Sequence, residues 1–262
     1  MKFSIYQVDA FTDKVFHGNP AAVIPLNEWL DADIMQQLAA ENNLSETVFF
    51  VKNSDGSYHI RWFTPGFEID LCGHATLASA FIIKKYIDTA AEEILFTTEK
   101  VGVLRAICKN KMYTLDFPAR MPQPCEIPSI LYKSLGIKDA IEVLKSRDYF
   151  VVLADEQAVI DTNPDMTLVK ELDAVGVTVT AKGKSADVVS RFFAPKAGIP
   201  EDPVTGSAHC NIVPYWCEKL GKNKLFAKQI SPRGGDLWCE LVNDRVMMSG
   251  HCAEFMKGEI TL

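Results

Sequence analysis

Two stretches of this chain repeat one another at a nearly constant offset. Arg61-Trp62-Phe63-Thr64-Pro65 recurs as Arg191-Phe192-Phe193-Ala194-Pro195, shifted by 130 positions. A second match follows at an offset of 133, where Glu68-Ile69-Asp70-Leu71-Cys72-Gly73-His74-Ala75 aligns with Glu201-Asp202-Pro203-Val204-Thr205-Gly206-Ser207-Ala208. The second copy carries three extra residues in its turn, within Lys196 to Pro200. One order of Arg, aromatic, Phe, Pro, Glu, Gly and Ala held at such an offset implies a duplicated unit. Each copy then has roughly 120–130 residues, an ordinary domain size.

The junction falls in Phe117 to Pro128, which carries four prolines and no periodicity. The expected domains are residues 1–120, completed by a returning C-terminal strand near 258–262, and residues 121–262, with the active site in the cleft between them. Alternating apolar runs predict strands at 3–9, 20–25, 47–52, 58–63, 94–98, 101–107 and 112–117 in the first half. In the second half they predict strands near 148–154, 157–160, 175–181, 187–193, 236–242 and 245–249. Helices are expected at Asp31 to Asn43, Gly73 to Tyr86 and Gly206 to Leu220. The second of these is apolar nearly all round, which marks a buried helix. Gly221 suits the position after the third, and Pro214 within it predicts a kink. The fold class is therefore α+β: two pseudo-symmetric, mostly antiparallel sheets, each around one central helix.

Composition excludes several functions. The formal net charge is −7 and no run of Lys/Arg occurs, which argues against nucleic-acid binding. No apolar stretch approaches the ~18 residues of a membrane span, and the start Met1 to Asp9 alternates like a strand rather than a signal peptide. The cysteines number seven, an odd count with no C-x-x-C pair, which disfavours a disulfide framework or a structural zinc site. The cytoplasm is the expected location.

Each repeat closes on an acid, a proline-bearing turn and a glycine that opens a buried helix. Such a start leaves backbone N–H groups free and carries partial positive charge, so Gly73 and Gly206, followed by the polar His74 and Ser207, are candidate anion sites. Glu46 lies where a helix gives way to an apolar strand, beside Ser45 and Thr47. Apolar walls would favour its acid form and suit it to general acid/base work, although local sequence alone favours a solvated loop acid. Asn19, in Gly18-Asn19-Pro20, either contacts a ligand or caps a turn. Cys72 precedes a helix-opening glycine, where a thiol can have a lowered pKa. Its counterpart is Thr205, which cannot act as a comparable acid/base.

Gly18-Asn19-Pro20-Ala21-Ala22-Val23, Leu44-Ser45-Glu46-Thr47, Phe63-Thr64-Pro65, Cys72-Gly73-His74-Ala75-Thr76 and Glu201-Asp202-Pro203-Val204-Thr205-Gly206-Ser207-Ala208-His209 together resemble the PhzF-like family of phenazine biosynthesis, in order along the whole chain. The resemblance implies the diaminopimelate-epimerase-like fold, with Glu46 as catalytic acid/base and His74 and Asp202 assisting proton movement. It further implies Asn19, Ser45, Gly73, Gly206 and Ser207 as substrate-binding residues, no metal or organic cofactor, and a homodimer. The implied activity is isomerisation of a small carboxylate-bearing metabolite, as in the family's dihydro-hydroxyanthranilate reaction. Alternatives are a non-catalytic ligand-binding protein and an amino-acid epimerase or racemase. Two-thiol epimerisation needs an acid/base from each half, and the Cys72/Thr205 pair lacks one thiol. A shift along one face needs a single carboxyl, which Glu46 supplies.

Overall fold

A computed structural model describes Met1–Leu262. Contacts divide the chain into one unit of Met1–Asp116 with Ser249–Leu262 and a second of Phe117–Met248. The fold is α+β, and no helix is long and apolar enough to cross a membrane.

The first unit opens with β1 (Lys2–Ala10) and β2 (Asn19–Leu26), an antiparallel pair. Helix α1 (Ala32–Asn42) starts where Asp31 accepts the Asp33 N–H and stops at Asn43, whose φ of 48° is left-handed. Strand β3 (Glu46–Lys52) runs parallel to β2, and β4 (Tyr58–Phe63) antiparallel to β3. A short β5 (Glu68–Ile69) folds back on β4 and leads into α2 (Gly73–Ile82). The predicted helix to Tyr86 continues past Ile82 as a single wider π turn, Ile83–Ile87. Strands β6 (Glu93–Thr97), parallel to β4, β7 (Val103–Lys109) and β8 (Met112–Pro118) complete this run.

Helix α2 is the core of this unit. Ala75, Leu77, Ala78, Ala80 and Ile82 are fully buried against β1, β2, β3 and β7. The alanines keep the helix slim enough for strands on several sides. Its buried hydroxyls are satisfied internally, Thr76 donating to Cys72 O at 2.6 Å and Ser79 to Ala75 O at 2.8 Å.

The second unit repeats this order. Short β9 (Gln123–Pro124) and α3 (Leu131–Leu135) precede β10 (Glu142–Lys145), which pairs antiparallel with β11 (Tyr149–Val152). The predicted strand at 157–160 is a helix instead, α4 (Glu156–Asp161), followed by α5 (Met166–Glu171). The reason is local: Asp155 caps it by accepting the Ala158 N–H at 2.9 Å, and only Val159 turns fully inward. Strand β12 (Val177–Lys182) lies parallel to β11, β13 (Val188–Ala194) antiparallel to β12, and β14 (Ile199–Asp202) folds back on β13. Then come α6 (Gly206–Leu220), continuous through Pro214 and ended by left-handed Gly221, β15 (Lys224–Gln229) parallel to β13, β16 (Gly235–Val242) and β17 (Arg245–Gly250). The final strand, β18 (Cys252–Thr261), pairs antiparallel along β1, from Lys2 opposite Thr261 to Ala10 opposite Cys252.

The repeated Arg and Glu form the same clip in both units. Arg61 Nε and Nη2 each donate to Glu68 at 2.7 Å, and Arg191 Nε and Nη2 donate to Glu201 at 2.8 and 2.9 Å. Each guanidinium also covers the repeated phenylalanine, 5.3 Å from the Phe63 ring and 4.8 Å from Phe193. The repeat thus closes the β4–β5 and β13–β14 turns that aim α2 and α6.

Candidate active site

In the first unit, Glu46 is buried together with Cys72 and His74, which lie more than twenty-five positions further along the chain. Glu46 is the first residue of β3 and is only 7% exposed, which decides against a solvated loop acid. His74 is the second residue of α2 and is 5% exposed. Its Nε2 lies 3.0 Å from Glu46 Oε2. On its other side, Nδ1 lies 3.4 Å from Cys72 Sγ. The hinge between β4–β5 and α2 makes this possible, because it carries residue 74 back over the start of β3.

Burial alone would lower the pKa of His74, but the Cys72 sulfur and the Glu46 carboxylate beside it outweigh burial and hold it well above its ordinary value. Burial also pushes the Cys72 thiol up, reinforced by Glu46 and only partly opposed by His74. The helix start therefore does not activate this cysteine, contrary to the expectation from its position. Glu46, Cys72 and His74 present one donor atom each within 4.8 Å of one another, a set of types that binds zinc. Glu46 Oε2 and Cys72 Sγ lie 3.0 and 4.0 Å from the same imidazole nitrogen, Nε2. The arrangement suits proton transfer along a carboxylate–imidazole pair.

Ser45 is half-buried in the bend that delivers Glu46 to β3. Gly73 opens α2 next to His74. Asn19 is fully buried at the start of β2, two residues before Ala21, which pairs with Glu46. Residues two apart on a strand share a face, so Asn19 and Ala21 point to one side. Of the residues singled out from sequence, Glu46, His74 and Gly73 converge, and Ser45 flanks them.

Asp202, Gly206 and Ser207 meet in the second unit, at the start of α6. Thr205 Oγ1 donates to Asp202 Oδ2 at 2.5 Å. Gln229, which the sequence did not single out, holds this corner. Its side chain is buried, its Nε2 donates to Asp202 O at 2.6 Å and to Thr205 Oγ1 at 3.1 Å, and its Oε1 accepts the Thr205 N–H at 2.8 Å. Gln229 ends β15, and no local pattern there distinguishes it from a surface residue. Ser207 is exposed in the first turn of α6.

Comparison with known proteins identifies the family. The family described as phenazine biosynthesis-like protein matches residues 8–258. A protein of Pseudomonas aeruginosa named an uncharacterized isomerase is 48% identical over 262 residues, covering all of both chains. The crystal structure of a PhzF-family phenazine biosynthesis protein from Enterococcus faecalis superposes with a TM-score of 0.96 at 49% identity, again over all of both chains. A hydroxyproline epimerase from Agrobacterium vitis superposes with a TM-score of 0.60 at 11% identity, over 99% of this chain and 92% of its own, a likeness of fold alone.

Proposed function

Because this chain belongs to the phenazine biosynthesis-like (PhzF) family, we propose that it is a cofactor-independent isomerase moving a proton between two carbons on one face of a small, carboxylate-bearing metabolite. The observation that carries this reading is the buried Glu46–His74 pair at 3.0 Å. A carboxylate beside an imidazole that keeps its proton is set up to accept a proton from carbon. His74, with Nε2 facing Glu46, offsets the carboxylate's charge and holds it in place. Glu46 then returns the proton to a neighbouring carbon on the same face, so no second base is needed.

The counterpart corner in the second unit supports this division. Thr205 Oγ1 spends its proton on Asp202 and accepts from Gln229. It is a fixed hydrogen-bonding group and not a second acid/base, which weighs against racemisation through paired bases. In this reading Asp202 assists proton movement, and Gly206, Ser207, Asn19, Ser45 and Gly73 bind and orient substrate.

The test is proton exchange with solvent. Small unsaturated carboxylates are incubated with the protein in D₂O, and carbon-bound deuterium is followed by NMR. Wild-type protein should label at least one of them, and Glu46→Gln should not. Equal labelling by both proteins would overturn the assignment of the base.

A further inference from the structure

Glu46, Cys72 and His74 are peculiar to the first unit. Strand register sets the repeats residue against residue: Thr47 pairs with Phe63 as Val177 pairs with Phe193, so Gly176 stands in the place of Glu46. A Cβ on Gly176 would lie 2.4 Å from Phe192 Cζ and 2.8 Å from Phe193 O, which leaves no room for an acid there. At the helix starts, Thr205 stands for Cys72 and Ser207 for His74. The second unit therefore builds the same strand–turn–helix with none of these three side chains, and the fold does not require them.

Together the three make a compact set of buried donor atoms. Glu46 Oε2 has no hydrogen-bond partner despite its 3.0 Å approach to His74 Nε2, so a buried carboxylate oxygen faces the cluster uncommitted. Cys72 Sγ lies 4.0 Å from the same nitrogen. In a tetrahedral zinc site the bond lengths place nitrogen about 3.3 Å from oxygen and about 3.6 Å from sulfur. Both separations here are within about half an ångström of those values. The supports are rigid elements. Cys72 and His74 flank Gly73 at the start of α2, where the Thr76 hydroxyl and N–H both donate to Cys72 O, at 2.6 and 3.2 Å, and Glu46 opens β3. A thiolate and a carboxylate also cancel the charge of one divalent ion, so the complex buries no net charge.

We propose that Glu46, Cys72 and His74 form a zinc site with three protein ligands and a fourth position for water, and that zinc bound there switches the isomerase off by occupying the Glu46 carboxylate. Sulfur and imidazole ligands favour zinc over magnesium or calcium. On binding, zinc takes the place of the thiol proton of Cys72 and of the proton on His74 Nε2. Both protons leave to solvent, and nothing is oxidised or reduced. The binding stands on the donor geometry alone; the inhibition rests on the reading of Glu46 as the base.

The experiment titrates cobalt(II), a coloured substitute for zinc, into the reduced, metal-free, full-length protein. Wild type should bind one cobalt per chain with a thiolate-to-cobalt charge-transfer band in the near ultraviolet, which zinc bleaches and magnesium does not. Cys72→Ser should lose the band. Glu46→Gln should keep it with affinity at least about tenfold weaker, the loss that even outer partners of a metal ligand bring. Cys125→Ser, which removes a half-buried thiol outside the cluster, should match wild type. Circular dichroism of each variant checks the fold. Absence of the band in wild type, or an unchanged band in Cys72→Ser, would overturn the site. In the D₂O assay, zinc should abolish carbon-bound labelling and EDTA should restore it; labelling that persists at saturating zinc would overturn the inhibition. A cobalt band without Glu46-dependent exchange in the metal-free protein would sink the proton-shift reading, with the inhibition built on it, and leave the zinc site standing. Such exchange without a cobalt band would sink the zinc site alone.

Discussion

His209 makes the second unit acid-sensitive, and the structure sets the size of the effect. The residue lies in α6 with no solvent exposure. Its Nδ1 donates to Thr205 O at 2.8 Å, which leaves Nε2 as a buried acceptor with no partner. Burial lowers its pKa from 6.5 to about 4, against a small opposing contribution from that backbone hydrogen bond. The unfolded chain therefore binds a proton at this residue near pH 6.5, and the folded chain only near pH 4. Stability is full above the unfolded pKa and declines as pH falls between the two values. At 1.36 kcal/mol per unit, the whole loss is roughly 3 kcal/mol, of which about 2 kcal/mol appears between about pH 7.5 and 5. Thr76, the counterpart of His209, makes the equivalent bond to Cys72 O through its hydroxyl. His209→Thr should keep that bond and lose the titration. The assay is urea unfolding of both proteins across this pH range, read as the difference between them at each pH so that titrations common to both cancel. His209→Thr carries a constant packing cost, and the wild type should lose about 2 kcal/mol relative to it on going to pH 5. A difference that does not change with pH would refute the reasoning.

Other outcomes follow from the same coordinates. Glu46→Gln should lower solvent exchange by at least about 10²-fold, the typical range for a general base, as read by NMR in D₂O. Arg191→Ala leaves Glu201 and the Thr162 carbonyl without their partner and should cost on the order of 2–4 kcal/mol in urea unfolding. Cys72 is buried with its thiol pushed up, so iodoacetamide at neutral pH should label it only after denaturant is added, as read by peptide mass spectrometry. Light scattering after gel filtration tests the homodimer that the family resemblance implies, with a single mass near twice 29.1 kDa expected.

Much of the scaffold was legible in the residues because its signals are local. The strand–turn–helix repeat announced itself through identical residue order, and the structure shows why: Arg61–Glu68 and Arg191–Glu201 clip equivalent turns in front of equivalent helices. Gly73 and Gly206 mark helix starts through the repeated residue order and the apolar runs that follow them, since neither Cys72 nor Thr205 caps its helix with its side chain. The segment 157–160 misled, since four residues of mixed apolar character fit a strand or a helix, and the cap at Asp155 decided between them.

The site itself belongs to tertiary structure. Twenty-eight positions separate Glu46 from His74, and nothing around either residue reports that β3 and α2 bring them to 3.0 Å. Burial sums contacts from strands distant in sequence, so the sequence left Glu46 open as a solvated loop acid while the fold encloses it. The same holds for Gln229 and for the commitment of Thr205 to Asp202. The sequence by itself determined a duplicated α+β architecture and the order of its elements, because hydrogen bonding and periodicity act over a few residues. Only the three-dimensional packing decided which charges lose water together, and desolvation makes each charge depend on its partner where water would otherwise screen them.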